Sequence, residues 1–352
     1  MVICILVPHI RRAIQEVTHS QDKKTVMILS NYSTGDGLEN RLLLSLSTIT
    51  GEKFRYIKKI KDGIWLCYTD SSKWILKEFF SEEKLFNQIH FVEQLFKHDF
   101  YFTYQFHPIH QEKIIKFDQR VFALVEYLKK GSTFTYQTFS ERTSALKLLK
   151  QFHETTSQFR DIFKPNLTVF DQQMKWEQRL KEFIANIPLL INFIPTYYLN
   201  KYVDWAKWAL SQMERNKSFY NEGPNCIIHG DVAHHNFLLN RYQQLYIIDF
   251  DLIQLANPMI DYLQFANRVL PNISWSLTRL RRHQLLSPYL EMKEFLIALI
   301  YPTDILREWN RYVRLTKKEE GSKPQLLTYL KEITLNHFNM RRIFTEELAK
   351  SI

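Results

Sequence analysis

Short apolar runs bounded by turn residues fill the chain between residues 54 and 127. Runs rich in β-branched and aromatic residues predict strands. They lie at 54–57, 64–68, 74–80, 113–117 and 121–127. After the third run, Ser81 precedes an apolar stripe at helical spacing, which predicts a capped helix. The expected order is therefore three strands, a helix and two strands.

From residue 138 onward, apolar positions recur mainly at helical spacing. This pattern predicts an α+β fold with a small five-stranded antiparallel N-lobe and a larger, mostly helical C-lobe. We expect an N-terminal segment at 1–52 packed on the N-lobe, the N-lobe at 53–129 and the C-lobe at 130–352. The expected helices lie at 9–19, 38–48, 138–158, 170–187, 197–217, 259–269 and 324–349.

The strongest chemical signal is the segment CIIHGDVAHHNFLLNRYQQLYIIDFD, which begins at Cys226. Asp231, Asn236 and Asp249 form an acid, amide and acid set of the kind that phosphoryl transfer needs. One carboxylate orients the attacking hydroxyl and accepts its proton, while amide and carboxylate oxygens hold Mg²⁺. Two apolar runs around a polar stretch predict a β-hairpin, with Asn236 at its entry and Asp249 at its exit.

At these residues the chain resembles the aminoglycoside and choline kinase-like phosphotransferases, which are relatives of the protein kinases. More narrowly, it is similar to the spore-coat-associated branch of endospore-forming bacteria, through HGDVAHHNFLL, IIDFDLIQLANPMIDYLQFANRVLP and FLIALIYPTDILREWNRYV. The likeness covers roughly residues 54–345. It implies a protein kinase-like two-lobe fold, a nucleotide in the cleft, and ATP or another nucleoside triphosphate with Mg²⁺ as cofactors.

The resemblance also implies roles for individual residues. Asp231 would be the catalytic base, and Asn236 and Asp249 would be the magnesium ligands. Asp261 matches a second acid of the family, which would brace the catalytic loop. His229 would be a structural residue of that loop.

Lys77 stands in the middle of the third predicted strand, where the kinase lysine reaches the α- and β-phosphates. The alternative is an edge lysine on a half-exposed strand, but its position just before a helix favours the phosphate role. Glu93 flanks the apolar stripe of that helix, and a carboxylate near a buried face needs a cation. Glu82 and Glu83 are explained by the helix dipole. Glu93 is therefore the predicted partner of Lys77.

Glu126 and Tyr127, at the end of the fifth strand, resemble the family hinge, whose backbone groups would bind the adenine edge.

A glycine-rich phosphate loop is missing from this sequence. Only 8 of the 352 residues are glycine, and a tight turn at 61–63 joins the first two strands. The backbone-amide cradle of typical nucleotide kinases is therefore not encoded. Lysines of the turn could supply charge instead, although a solvated basic turn explains them more simply.

Composition and charge narrow the possible functions. Apolar residues make up 45% and aromatic residues 14% of the chain, which is typical of a globular protein. The net charge of +10 is spread as scattered pairs, so a solvated basic surface explains it better than a nucleic-acid interface. The apolar N-terminal run is too short to span a membrane. Three widely spaced cysteines are expected to be reduced core thiols of an intracellular protein.

A metal site built on His234 and His235 is disfavoured, because the spacing of known zinc-enzyme motifs is absent.

The sequence leaves two hypotheses for the function, from different classes of protein. The first is a kinase that transfers the γ-phosphoryl of ATP to a hydroxyl of an unidentified small molecule. The second is a spore-coat structural or scaffolding protein with weak or no catalysis. The expected location is the mother-cell cytoplasm or the spore coat, with coat proteins as further candidate partners and neither nucleic acid nor membrane among them.

Overall fold

The computed structural model describes residues 37–216, 225–318 and 323–352. The chain divides into two units, the first running to Thr133 with Leu238–Ile248 added, and the second comprising Phe134–Phe237 and Asp249–Ile352. The predicted helix at 9–19 lies outside the described residues. The other predicted N-terminal helix, at 38–48, is confirmed by α1 (Gly37–Thr50).

The first unit contains a five-stranded antiparallel sheet in the order β1-β2-β3-β5-β4. This confirms the predicted strand number and pairing sense. Because β5 lies between β3 and β4, the polypeptide crosses from β3 to the far edge before it returns. The strands are β1 (Phe54–Lys61), β2 (Ile64–Thr69), β3 (Lys73–Phe79), β4 (Ile115–Phe117) and β5 (Arg120–Glu126).

Two helices cover opposite faces of this sheet, because successive strand side chains alternate between faces. Leu42 and Leu46 of α1 pack in a cluster with Leu76 of β3. Leu85 of α2 (Glu82–Lys97) packs in another cluster with Phe79, also of β3. The Ser81 hydroxyl caps α2 by accepting from the Lys84 amide at 3.2 Å, as the sequence predicted.

The turn between β1 and β2 is tight, as predicted. Lys61 is paired with Ile64, which leaves Asp62 and Gly63 as the connection. Gly63 has φ +74°, a conformation that glycine adopts at little cost. Lys59 reaches Asp62 at 2.6 Å, but both side chains are exposed, so the pair contributes little stability.

The hairpin of β7 (Phe237–Leu239) and β8 (Leu245–Ile247) belongs mainly to the first unit, not to the C-lobe as the predicted boundaries had it. Backbone bonds explain this assignment. The Gly131 amide donates to the Leu239 carbonyl at 2.8 Å, and the Ile247 amide donates to the Phe102 carbonyl at 2.9 Å. A Cβ on Gly131 would lie 2.6 Å from the Asn240 backbone, so only glycine permits this approach.

His110 is a buried imidazole of the first unit. Its Nε2 accepts the Leu124 amide at 2.9 Å, and its Nδ1 donates to the Lys113 carbonyl at 3.3 Å. Burial lowers its pKa from 6.5 to about 4, against a smaller opposing effect of the Lys113 carbonyl. The folded protein therefore keeps this ring neutral at pH values where the unfolded chain binds a proton.

We expect the stability of the protein to decrease as the pH falls from about 6.5 towards about 4, because protonation favours the unfolded chain. The His110 contribution to this loss approaches about 3 kcal/mol. Urea unfolding of wild type and His110→Gln, at about pH 7 and about pH 5, tests this. The glutamine retains an acceptor, so the variant should lose less stability on acidification. Equal losses in the two proteins would contradict the assignment.

The second unit is mostly helical. Helices α3 to α6 confirm the predicted helices at 138–158, 170–187, 197–217 and 259–269. The predicted helix at 324–349 is divided by a π-helical turn at Glu332–Asn336. The helices are α3 (Phe139–Phe163), α4 (Gln172–Leu190), α5 (Thr196–Arg215), α6 (Met259–Val269), α7 (Leu277–Arg281), α8 (Ser287–Leu290), α9 (Lys293–Ile300), α10 (Thr303–Lys318), α11 (Pro324–Lys331) and α12 (Phe338–Ser351).

A short ribbon of β6 (Cys226–Ile228) and β9 (Gln254–Ala256) lies against α3 in the second unit. The Thr156 hydroxyl of α3 donates to the Ile227 carbonyl at 2.9 Å and lies 3.2 Å from the Ile227 amide. A helix side chain thus makes the hydrogen bonds to the Ile227 backbone that a neighbouring strand would otherwise make. The residues that follow β6 are consequently held against α3.

Cys67 and Cys226 are free and buried, as expected for core thiols. Burial raises the pKa of Cys67 to about 12, so this thiol is not ionised at neutral pH. Cys4 lies outside the described residues. In the part of the chain that the structure describes, no helix is both long enough and apolar enough to cross a membrane.

Candidate functional site

The acid, amide and acid set lies in the second unit, around the end of β6 and the two ends of the hairpin. Asp231 lies three residues after the end of β6. Asn236 closes a 3₁₀ turn immediately before β7, and Asp249 follows β8. The predicted hairpin, with Asn236 at its entry and Asp249 at its exit, is therefore present.

Asp261, in the first turn of α6, holds the loop that carries Asp231. Its Oδ2 accepts the His229 amide at 2.8 Å, and its Oδ1 accepts the Gly230 amide at 3.0 Å. His153 of α3 adds a contact from Nε2 to Oδ2 at 2.9 Å. Asp261 is completely buried, so these three partners replace water around the carboxylate.

The charge state of Asp261 follows from these contacts. Burial raises its pKa. The hydrogen bond and charge of His153, together with the charge of the His229 ring and the His229 amide, lower the pKa by more than burial raises it. The net pKa lies below the ordinary value of 3.8. Asp261 is therefore a buried carboxylate at neutral pH, and its removal would leave several polar groups without a partner.

Gly230 has a conformational reason for its place between His229 and Asp231. Its φ is +77°, and a Cβ there would lie 2.2 Å from the Leu252 carbonyl oxygen. Asp249 also has a positive φ, of 74°, which is unusual for a residue with a side chain. Strained backbone of this kind concentrates at functional sites, where surrounding structure maintains it.

The carboxylate of Asp231 has a partner on each oxygen. Arg268 of α6 forms an ion pair with Oδ1. The Asn236 Nδ2 lies 3.3 Å from Oδ2 and donates to the Asp231 backbone carbonyl at 2.8 Å. Helix α6 therefore contacts the loop twice, through Asp261 in its first turn and Arg268 in its last.

Asp231 is ionised at neutral pH. Burial raises its pKa, but the charges of Arg268, His229, His235 and Arg307 lower it, and the net pKa lies below 3.8. About a quarter of the side chain, 24%, remains accessible to solvent. A carboxylate in this state can orient a hydroxyl and accept its proton.

Asn236 is held through its side-chain nitrogen. Because its Nδ2 donates to Asp231, its Oδ1 faces away from that residue. Amide and carboxylate oxygens are hard ligands, and Mg²⁺ binds to one or two of them and retains waters. Among the described residues, no group of three or more His, Cys, Asp or Glu could hold a metal ion. The Asn236 amide and the Asp249 carboxylate are oxygen ligands of the type that Mg²⁺ binds together with water.

Comparison with known proteins assigns the chain to a protein family. Its sequence matches the phosphotransferase enzyme family over residues 62–295, which is more than half of its 352 residues. The chain belongs to this phosphotransferase family. No curated protein sequence matches it.

Solved structures agree with the family. An aminoglycoside phosphotransferase from Alicyclobacillus acidocaldarius has a TM-score of 0.65 and 15% identity, over 84% of this chain and 92% of its own. Spectinomycin phosphotransferase in complex with ADP and spectinomycin has a TM-score of 0.65 and 16% identity, over 89% and 98%. At such identities the likeness shows the fold alone. This phosphotransferase has a kinase-like fold, as the sequence predicted.

Lys77 of the phosphotransferase lies in the middle of β3, opposite Ala123 of β5, and is half-buried. Its Nζ is 5.3 Å from the ring centroid of Phe79. The predicted ion pair with Glu93 is not formed within the described residues, because Glu93 points to solvent on α2. Gln88 is a buried polar residue of that helix, at 5% exposure. Gln88 could have been recognised in the sequence as a polar residue on the buried face of the helix, since it falls within the apolar stripe.

The predicted hinge residues lie at the end of β5 in the first unit. The Glu126 amide donates to the Gln105 carbonyl at 2.8 Å, and its carboxylate accepts the Gln105 amide at 3.2 Å. Tyr127 lies next in the chain, with Lys73 Nζ 5.9 Å from its ring centroid. Because the Glu126 amide is already used, an adenine edge would have to bind other backbone groups of this segment.

Three further residues hold the loop and were not predicted from the sequence. Arg268 could have been found, because it lies two helical turns after Asp261 on α6. His153 and Tyr136 carried no local signal. His153 is 108 positions from Asp261, and the Tyr136 hydroxyl donates to the Val232 carbonyl, 96 positions away, at 2.9 Å.

Proposed function

We propose that this phosphotransferase moves the γ-phosphoryl group of ATP to a hydroxyl group of a small polar molecule, in a reaction that depends on Mg²⁺. The observation that carries the proposal is the loop of the second unit, where Asp231 and Asn236 are in contact and Asp261 holds the backbone before them. Folding alone does not require these polar groups to converge, and phosphoryl transfer does.

Asp231 is proposed to orient the acceptor hydroxyl and take its proton. Its lowered pKa makes it a weak base, but positioning and charge neutralisation supply most of the rate in phosphoryl transfer. Arg268 and Asn236 fix the carboxylate from both sides, which limits its rotation. This arrangement suits an orienting group.

Asn236 and Asp249 are the proposed magnesium ligands, and Lys77 is the proposed phosphate-binding residue of the first unit. When bound, Mg²⁺ would neutralise the charge of the nucleotide phosphates. Asp261 and His229 are proposed to keep the loop in shape. Glu126 and Tyr127 are proposed to lie next to the nucleotide base, which backbone groups would bind.

An association with the spore coat of endospore-forming bacteria is the proposed biological setting. It rests on the resemblance of three segments, around Asp231, from Ile247 to Pro271 and from Phe295 to Val313, to the spore-coat-associated branch. Detection of the protein in purified spore coats, by antibody or mass spectrometry, would test it. Its absence from coats and presence only in growing cells would contradict the proposal.

A second candidate function is a spore-coat scaffolding protein with weak or no catalysis. The connection between β1 and β2 favours it, because Asp62 and Gly63 alone span the gap where a glycine-rich loop would cover the phosphates. Without that cradle, the nucleotide loses a set of backbone amide contacts. Nucleotide binding therefore distinguishes the two functions.

We expect Mg·ATP to bind the purified protein, and Asp249→Ala to weaken that binding by at least about tenfold, because a metal ligand is lost. Calorimetric titration of ATP with and without Mg²⁺ measures the effect. Asp204→Ala removes an exposed carboxylate of α5 and is the matched control. Absence of binding at about millimolar ATP would favour the scaffolding function. Equal affinity of Asp249→Ala and wild type would exclude the metal role.

A further inference from the structure

Arg268 brings a guanidinium group to the proposed base from the last turn of α6. It lies seven residues after Asp261, so the two side chains leave the same face of the helix, two turns apart. Asp261 accepts the His229 and Gly230 amides, whereas Arg268 pairs with Asp231 Oδ1. The backbone of the loop and the carboxylate of Asp231 are therefore held by two separate residues of one helix.

Most of the hydrogen-bonding capacity of Arg268 is unused. A guanidinium carries five N–H donors in one plane. Nη2 donates to Asp231 Oδ1, and within the part of the chain that the structure describes Arg268 makes no other hydrogen bond or ion pair. The side chain is 17% exposed, and its other nitrogens are not sealed from solvent. The N–H groups of Nε and Nη1 therefore remain available to a ligand.

The chemistry of this group indicates an anionic ligand. Arginine binds carboxylates and phosphates through pairs of parallel, charge-assisted hydrogen bonds. Asp231 does not use this capacity, because only Nη2 contacts its carboxylate and the Asn236 Nδ2 lies 3.3 Å from the second oxygen. The remaining edge of the guanidinium thus suits a second anion beside Asp231.

The reaction proposed above would bring such an anion to this position. A hydroxyl that donates to Asp231 would place its oxygen about 2.7 Å from a carboxylate oxygen. The γ-phosphorus must come within bonding distance of that same hydroxyl oxygen. Because Arg268 contacts the same carboxylate, its free N–H groups are within reach of the other oxygens on the phosphorus.

We propose that Arg268 is a catalytic residue, whose free N–H groups bind an oxygen of the phosphoryl group during its transfer. This inference rests on the proposed function. The acceptor oxygen forms a bond to the γ-phosphorus while the bond from that phosphorus to the β–γ bridging oxygen breaks, and ADP leaves with the electron pair. The acceptor proton passes to Asp231. Arg268 loses no proton, and its charge stabilises the phosphoryl oxygens.

Aluminium fluoride tests this contact without an identified acceptor, because beside Mg·ADP it mimics the phosphoryl group in transfer. Calorimetric titration of ADP with Mg²⁺, with and without aluminium fluoride, measures how much the mimic tightens ADP binding. We expect tightening in wild type, and a reduction of that tightening by about tenfold or more in Arg268→Gln, because charge-assisted hydrogen bonds are lost. The affinity for Mg·ADP alone should stay within about threefold of wild type. Equal losses with and without aluminium fluoride would overturn the proposal.

The variant Asp231→Asn separates a direct contact from an effect through the base. If Arg268 binds the phosphoryl group itself, Arg268→Gln should reduce the tightening by a similar factor in the wild-type and Asp231→Asn backgrounds. If it only positions Asp231, the loss should disappear in the Asp231→Asn background, which would overturn the proposal. Arg279→Gln, at an exposed arginine of α7, is the matched control. An equal loss there would indicate non-specific charge and would also overturn it.

Two results with wild type keep this inference apart from the proposed function. Binding of Mg·ADP without tightening by aluminium fluoride would overturn the Arg268 contact and leave nucleotide binding in place. Absence of Mg·ADP binding at about millimolar concentration would contradict both. Urea unfolding checks that Arg268→Gln is folded. Arg268→Lys is the milder change, which keeps the charge and loses the planar fork, so it should lose part of the tightening. Full tightening in Arg268→Lys would exclude a role for the fork and overturn the proposal.

Discussion

Replacement of Asp231 by asparagine is expected to reduce the rate of γ-phosphoryl transfer by about 10³-fold and to leave the fold intact. The asparagine oxygen can still accept from Arg268, so the loop keeps that contact. The amide cannot accept a proton from the attacking hydroxyl. The variant therefore separates chemistry from structure at one position.

The measurement is the release of phosphate from Mg·ATP, either to water or to an acceptor found by screening. Asp204→Asn carries the same substitution at an exposed site and should match wild type. Titration of Mg·ATP should give Asp231→Asn nearly the wild-type affinity, since Asp231 is not a proposed metal ligand. A rate within about threefold of wild type would mean that another group orients the acceptor.

Local patterns were sufficient to predict much of this fold. The antiparallel sheet of the first unit follows from short alternating runs, and its β1–β2 turn follows from Asp62-Gly63. The capped start of α2 follows from Ser81 and the two glutamates after it. Each of these features is decided by residues close in sequence, where strand and helix periodicities act.

Features that depend on distant partners were not predictable in the same way. Glu93 lies on the flank of α2, and periodicity could not decide whether a flank position is exposed. Helix α9, which is apolar on nearly all sides, shows no amphipathic pattern because it is buried from Phe295 to Ile300. The hairpin joins the first unit through backbone bonds from Gly131 and Ile247, which no side-chain pattern encodes.

The candidate site shows the same difference between features set by nearby residues and features set by distant partners. Asp231, Asn236 and Asp249 were proposed from the sequence because a motif spaces them within one segment of the chain. The partners of this set were not found, since His153 lies on α3, 108 positions from Asp261, and becomes its neighbour only in the fold. Sequence spacing thus proposes the set, and the structure was needed for the side chains of α3 and α6 that hold its loop.

Replacement of Asp261 by alanine is expected to destabilise the protein by about 4 kcal/mol, the largest stability effect we predict. The change leaves the His229 and Gly230 amides and the His153 ring without their buried acceptor. Each unsatisfied group costs about 1–3 kcal/mol. The loop that carries Asp231 would lose its support, so transfer activity should fall together with stability.

Urea unfolding of wild type, Asp261→Ala and Asp204→Ala at neutral pH measures the effect. The pKa of Asp261 is lowered in the folded state, so its contribution is complete above its unfolded pKa of 3.8 and disappears as the pH falls through the lower folded value. The unfolding free energies of wild type and Asp261→Ala should therefore differ most at neutral pH and become similar in acid. His153→Ala should be partly non-additive with Asp261→Ala, because the two side chains share one hydrogen bond. A loss below about 1 kcal/mol at neutral pH would show that water replaces the carboxylate, and that the loop does not depend on Asp261.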